Sequence, residues 1–145
     1  MNIYDVFPED LIANVAAKLK ERPGVEPPKE SQFWKTAWFK EFPPTDVENF
    51  WYIRAASLMR KLYRGPIGVN HLKKAYGGRS PGHMQYSHSS TGSGAIIRRI
   101  LQQLEKEGLV ATADKKGRIL TNVGRSLLDK AASEVLKAEA QQKQA

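Results

Sequence analysis

The sequence predicts a mainly α-helical, winged-helix-like domain with a small β-hairpin as its wing. Two observations lead to this expectation. Apolar residues recur at helical spacing in four of five predicted helical segments, and a clear hairpin signal lies between the last two segments. From the second segment onward the order is helix, helix, loop, helix, two-stranded hairpin, helix, which is typical of a winged-helix unit. A plain mixed bundle with a surface hairpin is the alternative.

The length of 145 residues predicts a single domain, residues 1–145, that is large enough to bury its own core. Residues 1–44 are expected to form an N-terminal helix and an aromatic, proline-rich strap that wrap the domain. Residues 45–121 are expected to form the winged-helix core. Residues 122–145 are expected to form a closing C-terminal helix that frays into the polar tail AEAQQKQA.

The N-terminal helix is predicted to begin at Pro8, which suits a first helical turn, and to run to about Glu21 before Pro23 and Gly24 end it. The strap that follows, residues 27–44, has paired prolines at both ends and is predicted to be a short helix plus an extended segment. Its aromatic residues need a surface on which to pack. They are Phe33, Trp34, Trp38, Phe39 and Phe42.

The second helix is predicted to begin near Asp46, because Thr45 and Glu48 have the spacing of a capping box. It is expected to stop at Gly65 and Pro66. A third helix is predicted over Ile67 to Tyr76, and residues 77–91 are predicted to be a loop of about 15 residues, long enough to suggest a function.

Periodicity returns in a helix from Ser93 to Glu107, which ends at Gly108. The hairpin is predicted in LVATADKKGRILT, with Asp-Lys-Lys-Gly as its turn, and Thr121 is predicted to cap the last helix from Asn122. We expect the structural core positions to include Trp51, Tyr52, Leu58, Leu62, Gly78, Ile97, Leu101 and Leu104.

The distribution of charge favours an acidic partner. Lys and Arg outnumber Asp and Glu by 23 to 15, for a formal charge of +8. No acidic residue lies between Glu48 and Glu105, an interval that holds nine lysines and arginines. A surface kept merely soluble mixes its charges, so this interval indicates a nucleic-acid partner, with a membrane surface as the weaker competitor.

Several classes of function are disfavoured by the sequence. The absence of cysteine excludes disulfides, thiol catalysis and thiolate zinc sites. The N-terminus does not resemble a signal peptide and no apolar run is long enough to span a membrane, so a soluble, cytoplasmic protein is expected. His71, His83 and His88 have no carboxylate near them in sequence, and no catalytic motif occurs. We therefore expect no metal, no cofactor and no enzymatic activity.

On a helical wheel, the segment NFWYIRAASLMRKLYRG separates into two faces. One face is apolar, and the other carries the cationic stripe, defined as Arg54, Arg60, Lys61 and Arg64. A solvated helix face is the ordinary meaning of surface charge, but such faces interleave Glu with Lys, and this one has no acid. We therefore interpret the stripe as a phosphate-binding surface, since the planar guanidinium can bond two phosphate oxygens.

The helix from Ser93 divides in the same way, with Arg98, Arg99, Gln102 and Lys106 opposite its apolar face. Its start, Thr-Gly-Ser-Gly, could seat a phosphate on free backbone N–H groups or could be an ordinary N-cap. In the preceding loop, donors and rings mix with Gly and Ser in a composition suited to RNA bases and backbone. These loop residues are Arg79, His83, Tyr86 and His88.

The run FWYIRAASLMRKLYRGPIGV, followed by LKKAYGGR, SH, TGSG, IIRRILQQLEKEGLV and GRILTNVG, resembles the archaeal and eukaryotic small-subunit ribosomal protein family S-nineteen of the e-type. The similarity extends from about Asp5 to the last helix, and the coupled WYIRAAS and AYGGR blocks are specific. The short chain and compact tail are typical of an archaeal member. Matching family positions are Trp51, Tyr52, Arg54, Arg60, Gly78, Arg79, Arg98 and Arg99.

The resemblance implies a structural protein in the head of the small ribosomal subunit, with a winged-helix-like fold and a role in late subunit maturation. It implies small-subunit rRNA and neighbouring small-subunit ribosomal proteins as partners, no membrane, and a monomer outside the ribosome. The loop departs from the family pattern at Tyr86 and Ser89, where a proline and an aromatic residue are usual. The residues expected to bind RNA are Arg54, Arg60, Lys61, Arg64, Lys73, Lys74, Arg79, His88, Arg98, Arg99 and Gln102.

Two other functions remain open at the level of sequence. A winged-helix transcription regulator would read DNA with Arg98, Arg99 and Gln102, most simply as a dimer. An RNA-processing enzyme would need a site built from residues that no motif connects.

Overall fold

The computed structural model describes residues 3–144, with side chains through Gln141. The fold is mainly helical with a small antiparallel hairpin, which confirms the predicted class. Short 3₁₀ helices lie at Ile3–Asp5 and Lys29–Phe33. The helices are α1 (Pro8–Lys20), α2 (Val47–Leu62), α3 (Val69–Ala75), α4 (Gly94–Lys106) and α5 (Asn122–Gln144). The strands are β1 (Gly78–Arg79), β2 (Ser89–Ser90), β3 (Val110–Ala113) and β4 (Gly117–Leu120).

The ends of α1 follow the expected chemistry. Pro8 occupies the first turn beside Glu9 and Asp10, while Lys18 and Lys20 lie in the last turn. Acidic groups near the N-terminus and basic groups near the C-terminus both interact favourably with the helix dipole. The predicted start is confirmed, and the helix ends within one residue of the predicted position.

The predicted capping box at the start of α2 is wrong by one position. Asp46, not Thr45, is the N-cap, and its carboxylate accepts a hydrogen bond from the backbone N–H of Asn49 at 3.4 Å. Thr45 and Asp46 are both good capping residues, so sequence spacing alone could not choose between them. The helix begins at Val47, within one residue of the predicted start near Asp46.

Helix α3 is shorter than predicted because its first expected residues are extended. Ile67 forms an antiparallel bridge with Arg118 of β4, through hydrogen bonds of 3.0 and 2.9 Å between their backbones. The residue therefore serves as a third, one-residue strand beside the wing. Helix α3 begins only at Val69.

The predicted loop of residues 77–91 contains a short ladder that sequence analysis missed. Gly78 pairs with Ser90 and Arg79 with Ser89. Ser80 extends the ladder, since its backbone N–H and its hydroxyl both donate to the carbonyl of His88, at 2.9 and 3.0 Å. Residues 81–87 therefore form the tip of a hairpin arm with a paired base.

The wing and its junction with α5 agree with the prediction. Strands β3 and β4 pair from Val110 and Leu120 to Ala113 and Gly117. The hydroxyl of Thr121 accepts from the backbone N–H of Gly124 at 3.3 Å, as a capping residue should. The backbone of α5 is helical through Gln144. Within residues 3–144, no helix is long and apolar enough to cross a membrane.

The core lies between α1, α2, α4 and α5. Gly78, predicted as a structural core position, is exposed. It lies instead against the ring of Phe39, where an added Cβ would come within 3.2 Å of the ring. The other predicted core residues are buried: Trp51, Tyr52, Leu58, Leu62, Ile97, Leu101 and Leu104.

The strap is tied to the core by polar contacts as well as by packing. The indole N–H of Trp51 donates to the side-chain carbonyl of Gln103 at 2.8 Å, and the amide of Gln103 donates to the backbone carbonyl of Glu26 at 2.7 Å. Trp34 packs on Trp51, with ring centroids 6.3 Å apart. Gln103 therefore links α2, α4 and Glu26, the residue that precedes the strap.

Candidate nucleic-acid interface

The cationic stripe lies on the side of α2 opposite the core, with Arg64 in the turn that follows the helix, but not all of it is in open solvent. Arg64 is exposed, whereas Arg54, Arg60 and Lys61 are partly buried. The reason is that aromatic rings from other parts of the chain cover them. The wheel predicted the direction of these side chains but not the rings.

Arg54 contacts two rings at once. Its guanidinium carbon lies 4.9 Å from the ring centre of Phe50 and 4.2 Å from that of Tyr76. Burial lowers the pKa of the Arg54 guanidinium, while Tyr76 acts in the opposite direction. Arginine has so high an intrinsic pKa that the group still carries its charge at neutral pH. The rings thus fix the orientation of a permanent cation.

Tyr76, the residue that follows α3, organises this part of the surface. Its hydroxyl oxygen lies 2.7 Å from the hydroxyl oxygen of Ser57, and the amine of Lys61 is 5.2 Å from its ring centre. Burial raises the pKa of Tyr76, with the Ser57 hydrogen bond and the charges of Arg54 and Arg60 opposing that shift. A neutral phenol at the end of α3 therefore joins α3 to the stripe on α2.

Arg60 lies farther along the same face. Its guanidinium carbon is 5.4 Å from the ring centre of Tyr4, in the N-terminal segment. The Nε atom of Arg60 is buried and has no hydrogen-bond partner among the described residues. A buried donor without an acceptor is unfavourable, by about 1–3 kcal/mol in typical cases. Arg60 is therefore held by ring and chain packing and not by polar contacts through this atom.

The cations of α3 and the hairpin arm are mostly exposed. Lys74, Arg79 and His88 are all open to solvent. Lys73 is partly buried, and its side chain lies against Gly94 at the start of α4. The carbonyl of His88 anchors the arm, so its ring projects from a fixed backbone position.

Helix α4 divides as the sequence predicted. Arg98, Arg99 and Gln102 are exposed, on the side away from the buried isoleucines and leucines. The guanidinium carbon of Arg99 lies 4.6 Å from the ring centre of Trp34. Trp34 thus joins this arginine to Trp51 of the core, a link that wheel geometry could not reveal.

The start of α4 is less open than the Thr-Gly-Ser-Gly sequence suggested. The backbone N–H of Gly92 donates to the carbonyl of Lys73 at 2.9 Å, and that of Ser93 donates to the carbonyl of Thr36 at 2.7 Å. Two of the N–H groups proposed for a phosphate are therefore already used within the chain. They fasten α4 to α3 and to the strap.

Three residues of this surface escaped sequence reasoning: Tyr76, Trp34 and Gln103. Each is a single aromatic or polar residue whose partners are far away in sequence, and no local pattern marks such a residue. The histidines give no alternative site, because no group of three or more His, Asp or Glu side chains in residues 3–144 could hold a metal ion.

Fold and surface together define a basic, mainly helical protein with a small wing and a face on which aromatic rings orient cations. Residues 2–138 match the family described as Ribosomal protein S19e. The chain belongs to that family, as the resemblance in its sequence predicted. The family consists of structural ribosomal proteins, so the expectations of a non-enzyme and of a cytoplasmic, ribosomal protein are confirmed.

Similar proteins come from archaea and from a plant. The small ribosomal subunit protein eS19 of Aeropyrum pernix is 45% identical over 139 residues, covering 94% of this chain and 90% of its own length. The protein of the same name from Haloarcula marismortui is also 45% identical over 139 residues, covering 92% of this chain and 90% of its own length. The Oryza sativa protein of the same name is 42% identical over 134 residues, covering 92% of this chain and 91% of its own length.

Proposed function

We propose that this protein is a structural constituent of the head of the small ribosomal subunit, that it binds rRNA through a basic surface, and that late maturation of the subunit requires it. The observation that carries the proposal is the cationic stripe, in which rings orient Arg54 and Arg60, in an interval without acidic residues. Neighbouring ribosomal proteins are its second class of partner, and it is a monomer outside the ribosome.

The geometry suits RNA phosphates for a physical reason. A guanidinium placed on a ring loses side-chain freedom but keeps its charge, so less ordering is required when a phosphate binds. The exposed cations of α3, the arm and α4 add further phosphate contacts to those of the stripe. Membership of a ribosomal protein family supports rRNA over the duplex DNA of a transcription regulator.

Charge reversal tests the proposal. The variant Arg54→Glu/Arg60→Glu should fail to enter small subunits, but both side chains are partly buried, so misfolding could also explain a loss. The sharper variant is Arg64→Glu/Arg98→Glu, because both arginines are exposed. We expect the second variant to fold and to be depleted from small subunits separated on a sucrose gradient.

The matched control is Lys130→Glu/Lys137→Glu, which makes the same change of charge at two exposed positions of α5. This variant should co-sediment with small subunits as the unmodified protein does. Binding of the purified protein to rRNA fragments should also weaken steeply with salt, since each neutralised phosphate contributes about 0.7–0.9 to the slope. Normal incorporation of folded Arg64→Glu/Arg98→Glu would contradict the proposed surface.

A further inference from the structure

A groove lies between the strap and the start of α4. It has a volume of about 520 Å³, within the range of roughly 300–1,000 Å³ that is usual for small-ligand sites. Phe33, Trp34, Lys35 and Trp38 line one side, and Lys73 with residues 91–96 lines the other. We call this the strap groove.

Two rings of the strap groove face solvent. Trp38 is 70% exposed and Phe33 is 74% exposed, whereas the ring of Trp34 already contacts Trp51 and Arg99. Exposing a large ring is unfavourable, because burying such a side chain is worth about 1.5–3 kcal/mol. Exposed rings in a concave site are typical of a surface that a partner covers.

The charge of the strap groove selects the partner. Its lining includes Lys35 and Lys73 but no Asp or Glu. The amine of Lys35 lies 3.5 Å from the backbone carbonyl of Trp38, so this cation is close to the residue whose ring is exposed in the groove. An occupant must therefore offer both a flat apolar face and negative charge.

We propose that the strap groove binds an unpaired nucleotide of RNA, with its base stacked on Trp38 and its phosphate beside Lys35 and Lys73. Base stacking on aromatic side chains combined with flanking cations is the usual mode of single-strand recognition. A base within a duplex is covered on both faces by its neighbours and could not reach the ring. The backbone N–H groups of Gly92 and Ser93 are already bonded, so side chains carry this contact.

This inference rests on the proposed function but assigns a different chemistry to a different surface. The stripe on α2 holds phosphates of any RNA, whereas the strap groove requires a free base. The two can therefore be tested separately with two RNA probes, a short oligoadenylate and a fully paired RNA hairpin.

The experiment measures the affinity of the full chain for both probes by fluorescence anisotropy. Trp38→Ala should weaken binding of oligoadenylate by roughly 5- to 150-fold, which corresponds to about 1–3 kcal/mol for one stacked base, and should leave hairpin binding unchanged. Trp38→Phe should restore most of the affinity. The control is Phe42→Ala, a ring of the same strap that is 75% exposed but does not line the groove.

The outcomes separate the two proposals. If Trp38→Ala binds oligoadenylate as tightly as the unmodified protein does, the strap groove is not a nucleotide site, whatever the hairpin result. If the unmodified protein binds neither probe, the proposed function fails as well. Ultraviolet crosslinking of assembled small subunits gives the second readout: a crosslink from Trp38 to rRNA supports the inference, and one to a protein neighbour overturns it.

Discussion

At the scale of single residues, the notable feature is that rings hold several arginines of this protein. Arg54, Arg60, Arg99 and Arg125 each lie over the ring of a Tyr, Trp or Phe. Such contacts are worth about 0.5–2 kcal/mol, comparable to an exposed salt bridge. Unlike a carboxylate, a ring orients the guanidinium without neutralising it.

Substitutions at Tyr76 test this role. Tyr76→Phe keeps the ring under Arg54 but removes the hydroxyl that meets Ser57, so we expect a loss of about 1 kcal/mol in stability and nearly unchanged RNA affinity. Tyr76→Ala removes both and should also weaken binding to an RNA hairpin. Urea unfolding and anisotropy measure the two effects. Equal RNA affinities of the Phe and Ala variants would contradict an orienting role for the ring.

At the scale of elements, the position of the wing depends on a glycine. Gly117 begins β4 with φ of +95°, and a Cβ at this position would lie 2.7 Å from the backbone carbon of Ile67. The close approach is what allows Ile67 and Arg118 to exchange backbone hydrogen bonds. The wing is therefore fixed to the segment between α2 and α3 as well as to α4.

Gly108 offers a matched comparison for Gly117. Gly108 also has a positive φ, +71°, but no atom lies within 4 Å of its added Cβ. Gly108→Ala should cost about 1 kcal/mol for the left-handed backbone alone, whereas Gly117→Ala should cost more, about 2–4 kcal/mol, because the Cβ also clashes. Thermal unfolding of both variants checks the order. Equal losses would show that the approach to Ile67 is not tight.

The contact between the wing and α4 should depend on pH. Hydrogen bonds from Thr112 and then Arg118 hold the pKa of the Glu105 carboxyl below its ordinary value. Because the pKa of Glu105 is lower in the folded state, its ionised carboxylate stabilises the fold at pH values above the unfolded-state pKa of about 4.3. This stabilisation is lost as the pH falls through the folded-state pKa. Glu105→Gln should therefore be slightly less stable at neutral pH, by less than about 1 kcal/mol.

The measurement is the midpoint of thermal unfolding of the Glu105→Gln variant and of the unmodified protein, from neutral pH downward. Because protonation removes the same interaction that the substitution removes, the two midpoints should converge as pH falls below the unfolded-state value of about 4.3 and through the lowered folded-state pKa of Glu105. Asp114→Asn, in the turn of the wing, is a suitable control because it leaves the Glu105 contacts in place. A constant difference at all pH values would contradict this assignment.

The elements were predictable where their signals are local. Apolar periodicity gave α1, α2, α4 and α5, and turn chemistry gave the wing. The start of α3 was not predictable, because Ile67 becomes extended through a partner 51 positions away, Arg118. The β1–β2 ladder was missed for a different reason: its residues are small, polar or charged, and they bury no apolar face that would give a period of two.

The candidate surface was predictable only in part, because some of its contacts join segments that are distant in sequence. The stripe on α2 follows from its own sequence and from the missing acids, and the structure places it opposite the core. The rings of Tyr4, Tyr76 and Trp34 come from other segments, and only the tertiary fold brings them to the arginines. Periodicity cannot report such long-range partners.

At the scale of the whole molecule, we propose that the chain unfolds as one unit. Gln103 joins α2, α4 and Glu26, which precedes the strap, and the backbone of Thr36 joins the strap to the start of α4. Gln103→Ala would leave the buried indole N–H of Trp51 without its acceptor, which should cost about 1–3 kcal/mol. The entire transition should shift downward by about 2–4 °C per kcal/mol.

Circular dichroism measures this unfolding transition with two signals. The far-ultraviolet signal follows the helices, and the near-ultraviolet signal follows the tryptophans of the strap and core. Coincident transitions in the unmodified protein and in the Gln103→Ala variant are expected. Loss of the near-ultraviolet signal ahead of the helical signal would mean that the strap melts by itself.

The aromatic support of the stripe also bears on how fast the protein finds its partner. In the described part of the chain, ion pairs join Lys18 to Glu134, Arg22 to Glu107 and Arg118 to Glu105, all away from the stripe. None of these pairs includes a residue of the stripe, so its positive charge is available to attract a polyanion before contact. Long-range attraction of this kind accelerates association and fades with ionic strength. For the RNA proposed as its partner, association as well as retention should therefore depend on Arg54 and Arg60, whose charge the rings leave uncompensated.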